Sequence, residues 1–438
     1  MNDELRGFAR DHLVRYGQGE INKLYTSAKG ATVRDDEGRE ILDFTSGQMC
    51  ATLGHSHPAI VKAIQAGVVD AVHMFSGMIP EPVARLAKKI ADWLPDQLNK
   101  SIFVSTGSES NEAALRMAKM VTGGHEVIAL GGSWHGVTGQ ASALSFASDR
   151  RGYGPKVPGV SLIPEPYSYR CPIEHCRNTC DMTCMKVGLK LFDMASDGAP
   201  AAIIAEPVLS AGGVIVPPDG YFKTLQQEAN SRGMMLIFDE AQTAFGRIGS
   251  KTAAGKLGVT PDIMSVSKTL GGGLPLAATI TTDAIEEQAH QKGYSFYTSH
   301  VSDPLPALAG LAVLETLESE NLIERALETG AYLRQHLDTL QQKYEAIGEI
   351  RGQGLLLGID LVKDRESREP DLELGDVTTR RCMELGLSMN IKRRPERGAV
   401  WRIAPPLTVT HDEIDRGVEI LDQALKESMD ELSSARKQ

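Results

Sequence analysis

The stretch Met234-Met235-Leu236-Ile237-Phe238-Asp239-Glu240-Ala241-Gln242 runs five apolar residues together and ends them on two acids. A second stretch has the same form. Ile263-Met264-Ser265-Val266 is apolar apart from one serine, and Ser267-Lys268-Thr269-Leu270-Gly271-Gly272-Gly273 follows it. Working outward, Ser101-Ile102-Phe103-Val104, Val127-Ile128-Ala129-Leu130 and Ala202-Ile203-Ile204-Ala205 are further short apolar runs. Helical patterns over 112–121 and 221–231 lie between such runs. A strand with one wet face alternates apolar and polar residues, whereas these runs are continuous. Continuous strands separated by helices predict an α/β fold whose mostly parallel sheet is covered on both faces. Such sheets bind ligands at the carboxyl ends of their strands. Thr106-Gly107-Ser108, Glu206, Asp239 and Lys268 all take that position.

Past residue 310 the pattern changes. Residues 314–344 read as one long helix and 354–362 as a strand. Thr410-His411-Asp412-Glu413 reads as a capping box before a closing helix through Met429. The division expected is an amino-terminal segment (1–45) joining a small α+β domain (311–438), with a large domain (46–310) between. Residues 363–374 are polar and read as a loop. The length of 438 residues suits two or three such units. The net charge, 46 − 57 = −11, disfavours nucleic acid as a partner. No apolar run reaches membrane-spanning length, and the charged start lacks the apolar stretch of a signal peptide, so a cytoplasmic location is expected.

A lysine and an aspartate at the ends of two buried strands are the groups a pyridoxal phosphate site needs. The amine of Lys268 can form a Schiff base with the cofactor aldehyde. Asp239 can keep the pyridine nitrogen protonated. Thr106-Gly107-Ser108 opens a helix expected to begin near Asn111, where backbone N–H groups and the helix dipole favour a phosphate. Trp134, in Ser133-Trp134-His135-Gly136, offers a flat face for the ring. Gln242, three residues after Asp239, is placed to reach the ring's phenolic oxygen. Taken singly, each of these residues has an ordinary structural reading: capping, core packing or a solvated lysine.

Together the motifs carry a family resemblance. Gly47, Gly54-His55-Ser56-His57-Pro58, the run from Ser105 to Ala113, Trp134-His135-Gly136, Glu206-Pro207, Asp239-Glu240-Ala241-Gln242 and Ser267-Lys268 resemble class III aminotransferases. These are fold-type I pyridoxal phosphate enzymes, typically homodimers with active sites at the subunit interface. Within them the chain is most similar to the 2,2-dialkylglycine decarboxylases. The stretches that carry this are His12-Leu13-Val14-Arg15-Tyr16-Gly17, Leu42-Asp43-Phe44-Thr45-Ser46-Gly47-Gln48-Met49, Phe75-Ser76-Gly77-Met78, His300-Val301-Ser302-Asp303-Pro304 and Arg402-Ile403-Ala404-Pro405-Pro406-Leu407-Thr408. Such enzymes decarboxylate a disubstituted amino acid, release a ketone and pass the amino group to a 2-keto acid such as pyruvate.

The resemblance implies roles. Lys268 is the Schiff-base lysine and proton shuttle, and Asp239 the partner of the pyridinium nitrogen. Thr106, Gly107 and Ser108 hold the phosphate, with Ser299 contributing from a partner subunit in a homodimer or dimer of dimers. Trp134 stacks on the ring and Gln242 meets its oxygen. Gln48 holds the leaving carboxylate. Arg402, with Ser210 nearby, holds the one that stays. Ser76, Ser299, Val301 and Asp303 match an alkali-metal site for potassium or sodium, built from hard oxygen donors. A neutral group at position 48 makes physical sense. An arginine there would stabilise the ground-state carboxylate and lose that stabilisation as neutral carbon dioxide forms.

The chain departs from that pattern at three places. Ala211 stands where the decarboxylases carry a second serine, and Val137 replaces a longer methionine. The stretch opening at Tyr169-Arg170-Cys171-Pro172 holds four of the six cysteines: Cys171, Cys176, Cys180 and Cys184. Its spacing lacks paired C-x2-C knuckles, so free thiols in a surface loop near the active-site mouth or dimer interface are expected over a metal site. Two other reactions fit the same scaffold: ω-amino transfer without decarboxylation, and amino-acid racemisation or amine lysis.

Overall fold

Seven strands form the main sheet of the computed structural model, which describes residues 2–15, 23–147, 152–177, 179–394 and 398–435. Their order across the sheet is Lys100–Val104, Ala277–Thr281, Ile263–Val266, Met235–Asp239, Pro200–Ala205, Glu126–Leu130 and Val160–Ile163. Ala277–Thr281 runs antiparallel to both neighbours, and the pairs beyond it are parallel. Alternate side chains of the central strands enter two different cores. Ile128, Leu130, Ile203, Ala205, Leu236 and Phe238 join the larger one. Val127, Ala129, Ala202, Ile204 and Ile237 pack with Ala114, Leu115 and Ala118 of the helix Gly107–Thr122. Burial on both faces is the reason these strands read as continuous apolar runs.

A four-stranded antiparallel sheet lies in the carboxyl-terminal part, in the order Ile347–Gln353, Leu356–Leu361, Gly398–Ile403 and Asn390–Arg394. A third sheet joins the two ends of the chain. Tyr25–Lys29, Thr32–Asp35 and Glu40–Asp43 are antiparallel, and Leu387–Ser388 pairs parallel to the last of them. Tyr16 and Gly17 of the amino-terminal motif lie outside the described residues.

Three boundaries differ from expectation. The long helix over 314–344 is two helices, Pro304–Ser319 and Leu322–Lys343, broken where Asn321 turns left-handed (φ 50°). The strand expected over 354–362 starts at Leu356, because Gly354 (φ 53°) turns the hairpin from Gln353. The closing helix is capped as read: Glu413 N–H donates to Thr410 Oγ1 (3.2 Å), and Glu413 Oε2 accepts from Thr410 N–H (2.9 Å). It runs on to Ala435.

The cysteine stretch also differs. Cys171, Cys176 and Cys184 are 3%, 0% and 1% exposed, and Cys184 sits in the first turn of the helix Thr183–Ala195. None of the six cysteines is in a disulfide. The stretch is tied to the carboxyl-terminal sheet rather than projecting freely. Arg170, at its start, bonds both oxygens of the fully buried Asp360.

Candidate active site

The helix Gly107–Thr122 begins four residues before Asn111, because Thr106 caps it. Thr106 Oγ1 accepts from Glu109 N–H (3.2 Å), and Glu109 Oε2 accepts from the N–H groups of Thr106 (3.0 Å) and Ser105 (2.9 Å). The first-turn N–H groups that follow have no intrahelical acceptor, which suits a phosphate. Three loops meet tightly here. A Cβ on Gly107 would come within 2.9 Å of Ser267 Oγ, and one on Gly136 (φ 131°) within 2.2 Å of Ser108 Oγ. At Gly136, where the Ser108 backbone Cα would also lie within 2.9 Å, only glycine leaves room.

Asp239 ends its strand 3% exposed. His135 Nδ1 (2.8 Å) and Asn111 Nδ2 (2.8 Å) both donate to Oδ2, and the N–H of Ala241 donates to Oδ1 (3.1 Å). Burial alone raises a carboxyl's pKa. Here the His135 and Asn111 donors and the Lys268 charge outweigh it, so Asp239 stays below its ordinary value. An anion fixed in this way is suited to a protonated ring nitrogen. Neither Asn111 nor His135 was assigned a role from sequence, although both sit inside the quoted motifs.

Lys268 follows the extended Ser267 and turns left-handed (φ 49°), a conformation uncommon for a residue with a side chain. Burial, helped by the nearby Arg402 charge, lowers its pKa, and Asp239 pulls the other way. A cavity of about 350 Å³ is walled by Lys268, Asp239, Trp134, Thr106, Gly107, Ser108 and Cys50, among others. It combines an amine, a buried anion, an aromatic face and a helix amino terminus. This donor set fits pyridoxal phosphate.

Gln242 belongs to a buried polar cluster. Its Oε1 accepts from Arg402 Nη1 (2.9 Å) and Ser210 Oγ (2.9 Å), while Nε2 lies 3.4 Å from Glu206 Oε2. Arg402 is buried, and no carboxylate among the described residues lies in ion-pair contact with it. Burial lowers its pKa to about 10, against the pull of Glu206. Glu206 accepts from the N–H of Trp134 (2.7 Å), and burial raises its carboxyl to about 7.

Gln48 sits on an unusual turn. Ser46, Gly47, Gln48 and Met49 all have positive φ: 47°, 53°, 63° and 66°. Each non-glycine residue there costs roughly 1–2 kcal/mol. Asp43 holds the turn. Its Oδ1 accepts from Thr45 N–H (2.9 Å), and its Oδ2 accepts from Gly47 N–H (2.7 Å) and His55 Nε2 (2.7 Å). The turn leaves Gln48 exposed and places Cys50 at the cavity wall. Backbone strain of this kind concentrates at functional sites.

The expected ion ligands differ in burial. Val301 is buried, Ser76 half-buried and Ser299 exposed. Asp303 already spends both oxygens on imidazoles, with His73 Nδ1 at 2.6 Å and His300 Nδ1 at 2.7 Å. His73 was not anticipated, since nothing in its local sequence marks it.

Comparisons with known proteins agree with this geometry. The family model described as aminotransferase class-III matches residues 14–425. The chain is 45% identical over 428 residues to an uncharacterized aminotransferase of Schizosaccharomyces pombe, covering 98% of this chain and 96% of that one. It is 35% identical over 403 residues to a leucine/methionine racemase of Thermococcus litoralis (91% and 89%). Among solved structures, an aminotransferase of Bacillus anthracis superposes with a TM-score of 0.91 at 28% identity, covering 97% of this chain and 98% of that one. The chain therefore belongs to the class III aminotransferases, with their fold-type I architecture.

Proposed function

We propose that this enzyme is a decarboxylating aminotransferase for 2,2-dialkylglycine-like amino acids, with a 2-keto acid such as pyruvate as amino acceptor. The observation that carries the reading is Arg402. A buried guanidinium bonded, among the described residues, only to the neutral side chains of Gln242 and Ser210 calls for an anion, and Lys268 is close enough to feel its charge. The carboxylate of an amino or keto acid supplies that anion. Gln48, neutral and set on a rigid turn, favours loss of a second carboxylate over its retention.

When bound, pyridoxal phosphate supplies a ring that accepts the electron pair of the bond broken at the substrate α-carbon. Asp239, kept ionised by His135 and Asn111, stabilises positive charge at the ring nitrogen. Lys268, its pKa lowered by burial, has a larger neutral fraction with which to carry a proton to or from carbon. An alkali-metal ion held by Ser76, Ser299, Val301 and Asp303 belongs to the same reading; each Asp303 oxygen keeps a second lone pair beside its histidine contact. Exposed apolar residues support a homodimer or dimer of dimers. Val69, Val72, Phe75, Met78 and Ile79 lie exposed within one segment, Ile79 being 84% exposed.

The test is incubation of holoenzyme with 2-aminoisobutyrate and pyruvate. Carbon dioxide and alanine should appear in equal amounts. Alanine formed from other amino donors with no carbon dioxide would leave an ordinary aminotransferase. The likeness to the Thermococcus litoralis enzyme favours amino-acid racemisation as the second reading. Loss of optical rotation from L-leucine without any keto acid would establish it.

A further inference from the structure

We propose that Arg247 is a positioning residue that locks the Gln48 turn to the segment carrying Arg402, so that both substrate-facing groups stand on one frame. The proposal rests on the reading of Gln48 and Arg402 given above. Arg247 lies in the turns that follow Asp239 and is 1% exposed, so it meets neither substrate nor solvent. A buried guanidinium is expensive to desolvate unless its charge is paired. Yet no carboxylate among the described residues lies in ion-pair contact with Arg247. Burial first, and then the Arg402 charge, lower it to about 9. Neutral oxygens hold it instead. Nη1 donates to Leu355 O (3.2 Å) and Pro405 O, and Nη2 donates to Ser46 Oγ (3.3 Å) and Thr52 Oγ1 (3.3 Å).

These oxygens belong to two segments far apart in the chain. Ser46 opens the left-handed run that carries Gln48, and Thr52 Oγ1 holds the end of that run by donating to Met49 O (3.0 Å). Pro405 follows shortly after Arg402. Leu355 precedes the strand Leu356–Leu361, in which Gly358 is paired with Arg402. Other bonds join the same two segments. Ser46 Oγ donates to Ala404 O (2.6 Å), Ala404 N–H to Phe44 O (2.8 Å) and Leu407 N–H to Thr52 O (2.8 Å). The guanidinium lies across this seam. Thr52 Oγ1 also meets Thr269 Oγ1 at 2.9 Å, so the frame extends to the residue beside Lys268.

The arrangement accounts for the residue type. A guanidinium presents its donors in a rigid planar fork, whereas a lysine offers the same charge from a single nitrogen on a flexible stem. Only the fork reaches acceptors on both segments at once. The backbone at Ser46, Gln48 and Met49 is strained, and such strain persists only where the surroundings over-determine it. Asp43 fixes the turn through Thr45, Gly47 and His55. Arg247 fixes it at Ser46 and, behind it, at Thr52. Loosening Arg247 therefore lets Gln48 and Arg402 shift relative to one another, while Asp239 and the turn at Thr106 keep their own bonds.

The test compares Arg247→Lys holoenzyme with the wild type. Cys50 follows the turn and reports on it through its rate of labelling by iodoacetamide, read by peptide mass spectrometry. That rate should rise several-fold, while the buried Cys176, Cys184 and Cys382 stay protected and the absorbance of bound pyridoxal phosphate is unchanged. KM for pyruvate as amino acceptor should rise several-fold at nearly unchanged kcat. Carbon dioxide release from 2-aminoisobutyrate should slow more than that half-reaction. Thr52→Val cuts the frame on the turn side alone, so it should raise Cys50 labelling with little change in KM, and it decides the matter if the lysine variant does not fold. Wild-type labelling of Cys50, an equal rise at all the cysteines, or an unchanged KM in Arg247→Lys would each overturn the proposal. Alanine formed by the wild type without carbon dioxide would remove the decarboxylase reading, while Cys50 labelling and KM would still judge Arg247.

Discussion

The two sides of the active site are built by different means. On one side Asp239, Lys268 and the turn at Thr106 stand at the ends of strands of a doubly covered sheet, and hydrogen bonds fix Asp239 and the Thr106 turn. On the other side Gln48 rides a strained left-handed turn, and Asp303 and Ser299 lie in loops with exposed neighbours. The sheet side positions groups that any reaction of the cofactor needs. On the proposed reading, the loop side carries the groups that choose among reactions. Chemistry common to a family belongs on rigid elements, and selectivity belongs where a few residues can change without disturbing the core.

Removing Lys268 should have the largest effect. Lys268→Ala should lose turnover by several orders of magnitude and lose the visible absorbance of covalently held pyridoxal phosphate. Normal turnover in that variant would remove the basis of the comparison.

A second prediction probes the buried carboxyl beside Trp134 and Gln242. Below pH about 4.5 Glu206 is protonated whether the chain is folded or not. Between about 4.5 and 7 the folded chain keeps a proton that the unfolded chain has lost, so this group reduces stability as pH rises. The reduction approaches about 3 kcal/mol above pH 7. Glu206→Gln lacks that dependence. The apo-variant should therefore gain on the wild type between pH 5 and pH 8, as read from urea midpoints. A difference that stays constant with pH would show that Glu206 is ionised in the folded protein.

On the loop side, Gln48→Ala should slow carbon dioxide release about tenfold more than the amino-transfer half-reaction with alanine. Equal losses would make Gln48 a general binding residue and weaken the division between the two sides. Ala211→Ser should act in the opposite direction. One hydrogen bond to a charged group contributes about 1.5–3 kcal/mol, so 2-aminoisobutyrate turnover should improve by roughly tenfold. No gain would mean that the missing hydroxyl does not set substrate choice.

What could be read from sequence follows the same line. The apolar runs ending on Asp239 and Lys268 were legible because burial on both faces leaves a continuous signature. Thr106, Gly107 and Ser108 were legible because a strand-to-helix turn that binds phosphate restricts residue type. The helix start at Gly107 was missed because its capping box uses Thr106 and Glu109 inside a run that was read as loop. Asn111, His135 and His73 act across the fold on residues far away in the chain, and local patterning carries no record of such partners. The left-handed run at Ser46–Met49 was equally hidden, since only one of its four residues is glycine.

The strand order has a consequence for biosynthesis. Lys100–Val104, which leads into the phosphate-binding turn, is an edge strand whose one neighbour in the sheet is Ala277–Thr281. Residues 105–276 must be translated before that neighbour exists, on the order of ten to thirty-five seconds at ordinary elongation rates. During that interval the nascent chain carries an unpaired apolar strand, and the turn at Thr106 has no fixed place. A chain truncated before residue 277 should therefore bind no pyridoxal phosphate.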